Sequence, residues 1–216
     1  TAPLLVFRVP LGFRGEQFLC DVPGGIQCRA PQNQDIPGLR YCAALRKGKA
    51  LALIPDSKYG YRAEKDALSV TLINTSNNPD PFPDRGLHTV NIALAVTGAE
   101  PVELARTAEK YDRPIYAFSA GAHKGELPMH QSFLKLEGKS TVLTAVLPDE
   151  GGSLRIRLCE LEGKDDPVKL RFASPIASAR PTDLLGNEVP SDLRLSGNEV
   201  TLTAKKSSLT ELRITL

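Results

Sequence analysis

Short runs of apolar and β-branched residues recur along the chain, each closed by Gly, Pro, Asn or Asp, and this punctuation predicts strands. In the first half they fall at Leu4 to Val9, Gln17 to Val22, Ile26 to Arg29, Tyr41 to Leu45, Lys49 to Ile54 and Leu68 to Asn74. From Ser132 onward the alternation is cleaner, with Leu154, Ile156 and Leu158 set to face one way and Arg155, Arg157 and Cys159 the other. Turns at Glu150-Gly151-Gly152, Gly163-Lys164-Asp165-Asp166 and Gly197-Asn198 space these strands as hairpins of a small antiparallel sandwich. One segment departs from the β pattern. "PVELARTAEKYD", Pro101 to Asp112, puts proline at the first helical position and Leu104, Ala108 and Tyr111 at helical spacing, so it predicts a helix stopped by Pro114. "SAGAHKGELPMH", Ser119 to His130, has no period and reads as a connection near Gly121 to Met129. The expected architecture is mainly β with one short helix, in two lobes at 1–128 and 129–216.

Composition narrows the classes. The chain has 216 residues, 41% of them hydrophobic, enough for a real core. Its net charge is +2, from 27 basic and 25 acidic residues spread along the length, and no basic stripe points to nucleic acid or a membrane surface. No apolar run approaches the ~20 residues that span a bilayer, and Pro3, Arg8 and Pro10 break the N-terminus before a signal core could form. A soluble, cytoplasmic protein is expected. The chain starts at Thr1 and its one methionine is Met129, which reads as a piece of a longer polypeptide. Cysteines 20, 28, 42 and 159 fit no zinc spacing. Cys20 and Cys28 flank Gly24-Gly25 and could face each other across a hairpin, but the plainer reading makes all four structural thiols.

Few residues offer chemistry. No Gly-x-Ser-x-Gly, metal-binding histidine pair or phosphate loop is present, and His88, His123 and His130 stand apart. No catalytic or metal-ligating residue is therefore assigned. The richest stretch is Asn74 to His88, where Asp80 and Asp84 sit among Pro79, Pro81 and Pro83, followed by Arg85 and His88. Asx residues beside proline form turns, yet a proline-stiffened loop with these donors and acceptors also suits sugar hydroxyls. With Tyr59 on the preceding strand end, the candidate substrate-binding set is Tyr59, Asp80, Asp84, Arg85 and His88.

"GKALALIPDSKYGYRAEKDALSVTLINTSNNPDPFPDRGLHTVNIAL", with its Asp-Ser-Lys-Tyr-Gly-Tyr element and Pro-Asp-Pro loop, resembles the non-catalytic C-terminal region of glycoside hydrolase family 38 α-mannosidases. "FLCDVPGGIQCR" is similar to an earlier segment of that region, and "QSFLKLEGKSTVLTAVLPDEGGSLRIRLCEL" resembles its closing sandwich. The resemblance runs from about Phe18 to Leu216. It implies a galactose-mutarotase-like supersandwich followed by a smaller β-sandwich. It also implies that the zinc ligands and nucleophile of the family lie in a catalytic domain outside this chain, so that the isolated chain is inactive. The partners it implies are the rest of the same polypeptide and a mannose-containing glycan, with the loop at 74–88 near the cleft. The alternatives are a free-standing carbohydrate-binding sandwich, disfavoured by the absence of Trp, and an aldose epimerase-like enzyme using His88 or His123.

Overall fold

A computed structural model of the chain describes residues 4–75, 78, 80–113 and 115–216, so Thr1, Pro3, Pro79 and Pro114, used above, lie outside the described residues. The chain divides into two compact units, Thr1–Pro114 and Ile115–Leu216. The expected boundary at 128/129 falls within residues 115–133, which carry no strand or helix. As expected, the described structure is mainly β, with four antiparallel sheets and one short helix.

The N-terminal unit has nine strands: β1 (Leu4–Pro10), β2 (Phe18–Val22), β3 (Gly25–Arg29), β4 (Ile36–Pro37), β5 (Cys42–Arg46), β6 (Lys49–Pro55), β7 (Gly60–Glu64), β8 (Ala67–Asn74) and β9 (Ile92–Gly98). They form a four-stranded sheet in the order β1-β8-β7-β4 and a five-stranded sheet in the order β3-β2-β5-β6-β9. Phe18, Cys20, Cys42, Leu53, Tyr61, Leu68 and Val70 fill the space between them. The other face of the five-stranded sheet is also covered. There α1 (Pro101–Asp112) lays Leu104 and Ala108 on Tyr41, Ala43, Ala50, Ala52 and Ile54. Burial on both faces explains why β5 and β6 read as nearly unbroken apolar runs. The helix keeps the predicted bounds, starts with proline in its first turn and carries Glu103 there, whose carboxylate accepts the Gly98 N–H at 2.9 Å.

The C-terminal unit has eight strands: β10 (Leu134–Glu137), β11 (Thr141–Pro148), β12 (Leu154–Glu160), β13 (Asp166–Phe172), β14 (Ser178–Thr182), β15 (Arg194–Ser196), β16 (Glu199–Ala204) and β17 (Leu209–Thr215). Two four-stranded sheets, β10-β13-β16-β15 and β11-β12-β17-β14, enclose Ile156, Leu158, Val168, Leu170, Phe172, Val200, Leu202, Leu212 and Ile214. The inward positions of β12 are those the alternation predicted.

Two buried carboxylates organise the chain reversals of this unit. Asp166 accepts the backbone N–H groups of Lys139, Ser140 and Thr141 and the Thr141 hydroxyl, at 2.8–3.2 Å. Glu160 accepts N–H groups from Glu162, Gly163, Lys164 and Ser207, at 2.7–3.2 Å. Burial works to raise both carboxyl pKa values, but the hydroxyl and amide donors outweigh it and hold both below the ordinary range. The unfolded chain, titrating near ~4, therefore takes up protons first as the pH falls. The stability these groups contribute is complete above about pH 5 and is lost as the pH drops through the folded values. Acid titration of the unfolding midpoint should show this loss. Asp166→Asn, which trades an acceptor-only carboxylate for an amide, should lower stability by about 3 kcal/mol in urea at neutral pH and flatten the acid limb.

Candidate functional site

The loop between β8 and β9 is assembled from short-range hydrogen bonds. Asp80 Oδ1 accepts the Phe82 N–H at 2.8 Å, forming an Asx turn. Asp84 adopts a left-handed backbone (φ 52°), a conformation its short polar side chain tolerates better than most. Its Oδ2 accepts the Asn74 N–H at 3.3 Å, closing the loop back onto the end of β8. The Asp84 carbonyl lies 2.8 Å from His88 Nε2. A carbonyl only accepts, so the Nε2–H of His88 donates in this contact. The Arg85 guanidinium stacks 4.3 Å over the Phe82 ring.

The base of the loop is fixed by a residue to which no role was assigned from the sequence. Asp56, at the end of β6, accepts the Asn91 backbone N–H at 3.2 Å and the Asn91 side-chain amide at 2.8 Å through Oδ2. The Ser57 hydroxyl donates to its Oδ1 at 2.9 Å. The amide of Asn91, then the other donors, hold the Asp56 carboxyl below its usual range despite some desolvation. Its signal in the sequence was the Asp-Ser-Lys-Tyr-Gly-Tyr element itself, whose first residue turns out to tie two strand ends together.

Asp80, Asp84, Arg85 and His88 thus form one local structure, in which both carboxylates spend part of their accepting capacity on the loop backbone. Tyr59 lies on the turn entering β7. Its carbonyl accepts the Gly38 N–H at 2.9 Å, and its side chain is 60% exposed. The sequence reading passed over Phe82, 61% exposed under Arg85. Such a surface can offer acceptors, a cation and aromatic faces to a polar ligand. Among the described residues no group of three or more His, Cys, Asp or Glu side chains could hold a metal ion. No helix among them is long and apolar enough to cross a membrane.

Taken together, the described residues define a protein of two antiparallel β-sandwich units, one of them backed by a helix. Residues 140–216 match the family model for the glycosyl hydrolases family 38 C-terminal beta sandwich domain. The fold is similar to that of an alpha-mannosidase from Enterococcus faecalis, with a TM-score of 0.76 and 17% identity over 97% of this chain and 25% of that one. A second Enterococcus faecalis structure, a protein in glycosyl hydrolase family 38, gives 0.76 and 18% over 97% of this chain and 26% of that one. No curated protein matches the sequence. The resemblance to the C-terminal β region of family 38 is therefore shown, in sequence over residues 140–216 and in fold over nearly the whole chain. The chain spans about a quarter of the length of those structures.

If Asp56 is the tie at the loop base, Asp56→Ala should raise amide exchange at Asn91 several-fold and cost about 1 kcal/mol, while Asp80→Ala should leave Asn91 protection unchanged. Hydrogen exchange on both variants checks this.

Proposed function

We propose that this chain is the C-terminal β region of an α-mannosidase-like glycoside hydrolase, supporting a catalytic domain supplied by the rest of the same polypeptide. The observation that carries the reading is the open side of the N-terminal sandwich. β1 and β9 end the two sheets on the same side, because their neighbours β8 and β6 lie across from each other. On β9, Leu94 and Val96 pair with Leu53 and Leu51, so they point between the sheets, yet they are 51% and 77% exposed. Phe7 on β1 also points inward and is partly exposed. In the C-terminal unit, Ile115, Tyr116, Phe118, Leu127 and Met129 are all more than 80% exposed within residues 115–133. A free-standing sugar-binding module has no reason to keep so much apolar surface in water, whereas a region abutting more polypeptide does.

In this reading the loop at 74–88 borders the cleft, and Tyr59, Asp80, Asp84, Arg85 and His88 meet a mannose-containing glycan with zinc and nucleophile provided by the catalytic domain. The isolated chain should hydrolyse no aryl α-mannoside, and the complete polypeptide should. In that polypeptide, Asp84→Ala and Arg85→Ala should lower kcat/KM at least tenfold, with the unfolding midpoint little changed for Arg85→Ala. A loss of stability with unaltered kinetics would instead assign the loop to the fold. Saturable mannoside binding by the isolated chain would favour the sugar-binding module.

A further inference from the structure

We infer that Cys20 and Cys42 form a cross-strand disulfide site, open in the thiol state and closed by a disulfide oxidant into a staple between β2 and β5. The two sulfurs lie 3.3 Å apart, and both residues are fully buried in the sandwich core. They are direct register partners on antiparallel strands. The flanking bonds fix which kind of pair they are: the Asp21 N–H donates to the Tyr41 carbonyl at 3.2 Å, and the Leu45 N–H to the Gln17 carbonyl at 3.0 Å. Hydrogen-bonded and non-hydrogen-bonded pairs alternate, so Cys20 and Cys42 occupy a non-hydrogen-bonded site. Such sites bring Cα atoms to about 4.5 Å, inside the range a disulfide requires. The strands already stand where the bond needs them.

The other two cysteines cannot share this role in the folded unit. Cys28 is opposite Leu19, on the far face of the sheet from Cys20, and is exposed; Cys159 belongs to the other compact unit. Of the pair, Cys20 is the attacking group. The thiol of Cys42 donates to it and the charge of Arg29 favours its thiolate against the cost of burial, whereas that same contact and burial push Cys42 up. The Cys20 thiolate attacks one sulfur of a low-molecular-weight disulfide, forming a mixed disulfide and releasing one thiolate. Cys42 then attacks the Cys20 sulfur, forming the internal bond and releasing the second. Two protons pass from the protein thiols to the two released thiolates, and the oxidant takes the electron pair. With both sulfurs buried, exchange requires the sheet to open, so closure is slow in the folded chain and fast when the strands pair during folding.

The bond would close a loop that contains β3, β4 and the 2.6 Å Asp21–Arg40 ion pair, and so restrain the unfolded state. The test uses the whole chain carrying Cys28→Ser and Cys159→Ser, unfolded and refolded in glutathione disulfide or in dithiothreitol. The oxidised product should lack two hydrogens by intact mass, yield a peptide joining Cys20 to Cys42, and unfold roughly 5–15 °C higher than the reduced chain. Dithiothreitol should reverse all three, and adding Cys42→Ser should abolish them. A product that carries only glutathione adducts, keeps both thiols free after refolding, or melts no higher once cross-linked overturns the proposal.

Discussion

A carboxylate that gathers backbone N–H groups in a dry interior is the interaction on which the C-terminal sandwich depends. Asp166 stands at the first position of β13, and its acceptors reach across to the turn between β10 and β11. It fixes where one sheet ends and the other begins, which is the step at which a sandwich chain must cross between layers. Glu160 does the same at the end of β12, holding the turn at 162–164 and the approach to β17. Without Asp166 the amides of the buried Ser140 and Thr141 would be unpaired, at a cost larger than most single contacts contribute. The apolar core supplies the driving force, and these two anions supply the uniqueness of the crossings.

The strands of the C-terminal unit were legible because their alternation is regular, those of the N-terminal unit as apolar and β-branched runs closed by turn residues, and the helix because proline and the 3.6-residue period agree at Pro101 to Asp112. Asp166 was legible only as a turn former. Composition cannot tell an aspartate that turns the chain from one that is buried to receive three amides, since both follow a glycine-containing turn at a strand end. The short β4 and the separate β7 went unread because two and five residues among polar neighbours carry too little period to register.

Cysteine pairing shows how sensitive such reading is to register. Cys20 would face Cys28 across a three-residue turn at Pro23, Gly24 and Gly25, with Val22 opposite Ile26. The observed strands pair Val22 with Gly25, leaving Pro23 and Gly24 as the turn, and this puts Cys20 opposite Gln27 and Cys28 opposite Leu19. The difference is one residue, and with a side-chain period of two it moves the partner to the other face of the sheet. The true neighbour of Cys20 comes from β5, 22 positions along the chain, and only tertiary register could reveal it. For the loop at 74–88 the sequence offered Asp80 and Asp84 both a turn-forming and a ligand-contacting role, but not which amides each serves, because hydrogen bonds of that range depend on φ and ψ at Asp84 and not on residue type alone.

The two open edges of the N-terminal unit are not equally protected. β1 carries Arg8, paired with Glu64 and Asp66, ends in Pro10, and has a register irregularity between Leu5 and Val6, all of which oppose pairing with a stray strand. β9 has none of these: its sequence is Ile-Ala-Leu-Ala-Val-Thr-Gly, uncharged and free of proline, and its inward side chains Leu94 and Val96 are half or more exposed. An edge of this kind in an isolated domain invites aggregation, and nothing in its own residues guards it. The physical requirement for a cover is therefore stronger at β9 than at β1, and a polypeptide packed there would supply the missing wall of the sandwich and the missing protection of the edge in a single contact.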